Sequence, residues 1–472
     1  MTTFKCIGRQ AFLIGAFFAF SSVSAIAQSG DVISKQYDDG GIYEGTFKDG
    51  KQHGQGTYKL PNGYEYSGAW VDGEIVGLGE AVFPNGSVYE GAFAKGKPEG
   101  FGKINFADGG SYEGDWLDGK ITGKGVASYA NGVRYEGEFR NALHHGVGTM
   151  SSPTGYRFEG TWINGVKEGR GKITYADGSF YDGDLLRGQR HGEGHLTMPD
   201  GLIYAGSWSE GQINGIGTLT QTNGDVYEGN LVAGERSGAG LVRYANGDVY
   251  EGDFAGDKRS GQGTFTGADG YVYAGNWNDG QITGVGRVTY PDGSIYEGTF
   301  LDGRESGQGM ITYNDGSSYT GDWVDGVIEG RGTAKYTNGL VYEGEFKNAK
   351  NHGQGKMSYT DGYVYEGGWV TGLRQGQGRA AYADGTIYEG EFFAGQREGT
   401  GKITMVDGFV YEGAWRNGEI DGVGVATYSN GDVYEGAFKN GKRAGTGTMR
   451  YATGEAETGI WENGALTQKA DP

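Results

Sequence analysis

Tyr43 begins a pattern that returns every 23 residues with no insertion or deletion, at Tyr66, Tyr89, Tyr112, Tyr135, Phe158 and onward to Tyr434 and Glu457. That makes eighteen full repeats and a partial nineteenth, and a strict period of this length demands one structural unit stacked on copies of itself. With the Tyr position counted as zero, Gly occupies positions 2, 11, 13 and 20 of every full repeat, as in Gly45, Gly54, Gly56 and Gly63. Position 7 is Gly except at Ala142, Asp257 and Ala349. The chain holds 98 Gly in 472 residues, and their phase makes them structural rather than a flexible linker.

The local signals are those of β-hairpins. Positions 19–20 read Asn-Gly or Asp-Gly sixteen times, with Thr154-Gly155 and Thr453-Gly454 as exceptions, and such dipeptides favour type I′ turns. A first strand is therefore expected at positions −1 to 5 and a second at 11 to 17. A Gly-bearing loop would join them at 6–10, and the Asn-Gly turn would lead to the next repeat. Alternation along a strand puts positions 0, 2 and 4 on one face with 11, 13, 15 and 17, an aromatic and aliphatic stripe broken by glycines. Rings laid over glycine backbone account for that pairing. The other face, with Glu at position 1 and mostly polar residues at 3, 12 and 14, is expected to be solvated.

All nine tryptophans occupy position 4: Trp70, Trp116, Trp162, Trp208, Trp277, Trp323, Trp369, Trp415 and Trp461. They alternate with Phe47, Phe93, Phe139, Phe300, Phe346, Phe392 and Phe438, so the larger unit is 46 residues. The alternation slips once, at Leu231 and Phe254, which marks a block junction over residues 227–272. The fold class expected is all-β: an elongated single-layer antiparallel sheet, a twisted meander of 23-residue hairpins. Residues 28–42 form a lead-in and half-repeat, 43–456 the repeats, and 457–472 a partial repeat and tail.

The first 27 residues differ in chemistry. Lys5 and Arg9 precede an apolar run from Ala11 to Phe20, and Ala25-Ile26-Ala27 follows, the outline of a signal peptide cleaved between Ala27 and Gln28. The run is short for a membrane span, which needs ~20 apolar residues. Export to the periplasm or beyond is the expectation. Loss of Lys5 and Arg9 would take the net charge from −20 to −22 and leave no cysteine, so disulfides play no part. An acidic chain of this kind is a poor partner for nucleic acid and anionic lipid.

The segment Tyr342-Glu343-Gly344-Glu345-Phe346-Lys347-Asn348, with His352-Gly353-Gln354-Gly355, resembles the MORN repeat (membrane occupation and recognition nexus), as does Tyr43 to Gly63. The resemblance covers roughly residues 37–464. It implies an extended single-layer sheet that scaffolds protein partners and often forms homodimers. Some relatives carry a lipid-kinase domain, for which this chain has no room.

Motifs for chemistry are missing. The Gly-x-Gly pairs at 11 and 13 lack the third Gly of a dinucleotide fingerprint, and no P-loop, nucleophile elbow or zincin motif occurs. His191, Glu193 and His195 alternate along a strand and form a minimal candidate set for Zn²⁺, although His191 is also the loop His of the repeat, as at His53, His145 and His352. No catalytic residue and no cofactor are expected. The reading is a non-enzymatic scaffold with unidentified protein partners; the alternative is glycan or cell-wall binding through the aromatic stripe.

Overall fold

The computed structural model describes residues 31–470. It is all-β, an open antiparallel sheet of 39 strands in meander order, numbered β1 to β39 along the chain. Two compact units divide at Lys167 and Glu168, each a run of hairpins built the same way. Residues 227–272 lie inside the second unit, where neighbouring strands pair without interruption. Ala27 and Gln28 lie outside the described residues. The sequence reading implies nineteen first strands and eighteen second strands. Two more are present, one from the lead-in (β1, Ile33–Gln36) and one from the tail (β39, Ala465–Lys469).

The first repeat shows the plan. Its first strand, β2 (Ile42–Lys48), covers positions −1 to 5 as expected. Its second, β3 (Lys51–Lys59), covers 8 to 16, so only Asp49 and Gly50 remain to join them. Both have positive φ, 54° and 81°, as a two-residue type I′ turn requires. The tight turn is therefore at positions 6–7, and the expectation that placed it at Asn62-Gly63 is corrected. There the Leu60 N–H donates to the Tyr64 carbonyl at 2.8 Å and the Gly63 N–H to the Leu60 carbonyl at 3.0 Å. Pro61, Asn62 and Gly63 form a three-residue loop in which Gly63 alone has positive φ, 92°. Asn62 keeps ordinary φ and serves through its side chain, whose Oδ1 accepts the Tyr64 N–H at 3.0 Å.

Gly54, at position 11, sits in a bulge. The register runs from Gly45 opposite Gly56 to Phe47 opposite Gln52, so Thr46 faces three residues of β3. Gly54 takes φ 84°, and every position-11 glycine is likewise positive. Successive repeats are also stitched at the turns, where the position-7 N–H donates to the position-9 carbonyl one repeat back. Gly73 to Gln52 and Gly280 to Arg259 are examples, both 2.9 Å.

Candidate interaction surface

One face of the sheet is an aromatic core. The Tyr43 ring lies over Gly45 and Gly56, where any Cβ would strike it, and its hydroxyl donates to the Thr46 carbonyl at 3.1 Å. Tyr43 also meets Phe47 of its own repeat and Trp70 of the next edge-on, at 5.1 and 5.2 Å between ring centres. The pattern repeats along each unit. Trp70 Nε1 donates to the Gly56 carbonyl at 3.1 Å, and the other position-4 tryptophans repeat that bond except Trp162, whose Nε1 has no partner. The position-9 side chain covers the position-4 ring of the following repeat. Arg190 lies over Trp208, Arg259 over Trp277 and Arg397 over Trp415, at 4.2–4.4 Å. Burial pushes the phenols of Tyr66, Tyr89 and Tyr204 up to about 12. The nine tryptophans are 3–7 % exposed. None presents a free ring face on which a sugar could stack.

The opposite face has a different relief. Glycines 2 and 13 pair across strands, as Gly102 with Gly114 and Gly114 with Gly125, and leave a strip of bare backbone. Positions 1 and 14 stand on one side of it, as Glu113 opposite Lys103 and Val126. Positions 3 and 12 stand on the other, as Asp115 opposite Phe101. The result, in each unit taken by itself, is a glycine-floored trough running across the strands. It opens to 680 Å³ beside Phe101, Lys124, Glu136 and Val147 in the first unit. In the second unit it reaches 1120 Å³ over residues 228–298 and 860 Å³ over 354–413.

The MORN repeat model matches eighteen consecutive segments, from residues 43–63 to 434–456. The chain belongs to the MORN-repeat family. No curated protein matches it in sequence. Among solved structures, the TCP domain of Drosophila melanogaster SAS-4, in complex with a proline-rich motif of Ana2, is 12% identical. That match covers 42% of this chain and 88% of that one, at a TM-score of 0.21. A point mutant of the Danio rerio CPAP TCP10 domain is 15% identical over 47% of this chain and 97% of that one, TM-score 0.20. A streptogramin B lyase is 14% identical over 63% and 92%, TM-score 0.11.

In this MORN array the Tyr-x-Gly of the motif is thus the ring and the glycine beneath it, while the intervening residue, Glu in thirteen of the eighteen full repeats, stands beside the trough. The metal candidates are not brought together. Gly192, with φ 60°, carries the bulge between His191 and Glu193 and breaks the alternation that would have aligned them. Glu193 accepts the Ser207 hydroxyl at 2.8 Å, and His195 stands edge-on to Phe180. Among the described residues no three His, Cys, Asp or Glu side chains are grouped to hold a metal ion.

The second face was expected to be solvated with mostly polar side chains, and its exposed residues include an apolar set that this expectation passes over. At position 12, Leu78, Phe101, Val147, Ile216, Val285 and Val423 are 63–74 % exposed. The signal was present, since these six residues break a position that is polar in every other repeat but Ala239. Averaging over the repeat hid it.

Proposed function

We propose that this MORN-repeat chain is a non-enzymatic binding scaffold of the cell envelope or extracellular space, holding protein partners along its glycine-floored face. The observation that carries the reading is the set of exposed apolar side chains at position 12, on a face that otherwise bears mostly polar and charged residues. Leu78, Phe101 and Val147 fall within four successive repeats of the first unit, and apolar side chains grouped in that way mark an interaction surface rather than scattered surface residues. The leader at residues 1–27 supports the location, and the net charge of −20 disfavours nucleic acid and anionic lipid as partners. Glycan binding through the aromatic stripe is disfavoured by the burial of its Trp and Tyr rings.

The test uses the mature chain as bait in envelope extracts, beside a variant carrying Leu78→Ser, Phe101→Ser, Val147→Ser, Ile216→Ser, Val285→Ser and Val423→Ser together. A partner retained by the wild type and lost by the variant is the expected result. Equal recovery by both would remove the reading.

A further inference from the structure

At position 14 the repeats beginning at Tyr89, Tyr273, Tyr365 and Tyr388 carry a cation paired with the position-1 carboxylate of the following repeat. The pairs are Lys103 with Glu113 at 3.9 Å, Arg287 with Glu297 at 3.0 Å, Arg379 with Glu389 at 3.4 Å and Lys402 with Glu412 at 3.7 Å. The trough at residues 228–298 holds the Arg287–Glu297 pair at one end and no such pair at the other. There position 14 is Thr218, Leu241 and Thr264 in succession. Glu228 and Glu251 flank Leu241 from both sides in the register, and both are exposed. Neither they nor Asp253 enters an ion pair, while Leu241, Ala274 and Val285 add apolar wall to the same trough.

We propose that this trough docks an extended basic segment of a protein partner, with a cationic side chain at every third residue. The proposal rests on the scaffold reading above and names its partner chemistry. The partner's cations would take the place that Lys or Arg fills in other repeats, and its intervening apolar side chains would lie on Leu241 and Val285. The spacing follows from the fold. Glu228 and Glu251, the two position-1 carboxylates of this trough outside an ion pair, are two strands apart, ~9.4–9.8 Å. An extended peptide advances ~3.1–3.4 Å per residue, so three residues span ~9.3–10.2 Å and keep step with the repeats.

The experiment titrates the full mature chain into a labelled dodecapeptide of four Lys-Thr-Val triplets and follows fluorescence anisotropy. Leu241→Arg restores the internal cation between Glu228 and Glu251, and the arginines at 287 and 379 show that position 14 tolerates it. It should weaken binding by about tenfold or more while melting with the wild type. Thr333→Lys makes the same charge change at position 14 outside the trough and should leave binding unchanged. A control peptide of equal composition with its lysines contiguous should bind about tenfold more weakly. No binding by the wild type, equal binding by Leu241→Arg, or equal affinity for the contiguous peptide would each overturn the proposal. A chain that captures a partner from extracts yet fails one of these tests keeps the scaffold reading and loses this one.

Discussion

A Cβ at Gly217 would stand 2.5 Å from the Tyr204 ring, well inside the contact distance of two carbon atoms. The ring is fully buried and its hydroxyl is tied to the Ser207 carbonyl at 2.9 Å, so it has nowhere to yield. Gly217→Ala is therefore expected to destabilise the chain by at least ~1–3 kcal/mol, read as a lower melting temperature. The same burial makes the tyrosines pH-sensitive. The Tyr66, Tyr89, Tyr204 and Tyr250 phenols are pushed up to about 12, chiefly because burial disfavours the phenolate. In the unfolded chain they ionise near the ordinary value of ~10. Their contribution is thus fully present below pH ~10 and is lost as pH rises toward about 12, since the unfolded state releases protons first. Tyrosinate absorbance followed against pH should rise for these groups together with unfolding. A smooth titration near pH 10 in a chain that stays folded would contradict the burial.

At the scale of the hairpin, the turn at positions 6–7 sets the stability of each element. Asn348 and Ala349 both hold positive φ, 50° and 58°, and Ala349 stands where most repeats have glycine. An L-residue with a Cβ pays ~1–2 kcal/mol in this conformation. Ala349→Gly should relieve most of it and raise the melting temperature, offset in part by the greater freedom of glycine in the unfolded chain. The turn was half legible. Asn-Gly and Asp-Gly dipeptides occur at both 6–7 and 19–20, and a dipeptide does not carry the length of the loop it sits in. Pairing of Lys48 with Lys51 leaves two residues at 6–7, and pairing of Leu60 with Tyr64 leaves three at 18–20, so only the first needs positive φ twice. The bulge at position 11 was missed for a related reason, because invariant glycine there reads equally well as a loop end. That bulge also decided the fate of His191, Glu193 and His195.

Across the whole array, stability is a sum of repeat and nearest-neighbour terms, because each hairpin touches only its neighbours. Position-4 rings of successive repeats are separated by the position-0 tyrosine, and the neighbour that matters is the position-9 residue lying over the next ring, as Arg259 over Trp277. Deleting residues 296–341 would bring Ile282 before Phe346, the same pairing it has with Phe300. Deleting 296–318 would set Ile282 before Trp323, where Glu305 now precedes that larger ring. A misfit of that kind costs ~1–3 kcal/mol. The 46-residue deletion should therefore melt higher than the 23-residue one although it removes twice as much chain. The opposite order in a thermal melt would make the alternation a relic of duplication. The period, the glycine phase and the Tyr-over-Gly core were determined by the sequence alone, because each depends on residues within one repeat and on the two-residue alternation of a strand. Which turn is tight, where the bulge falls and which carboxylates lack a cation were decided by the tertiary register. Glu251 faces Leu241, ten residues back and across a loop, and only the pairing of strands puts an apolar side chain where other repeats place a cation.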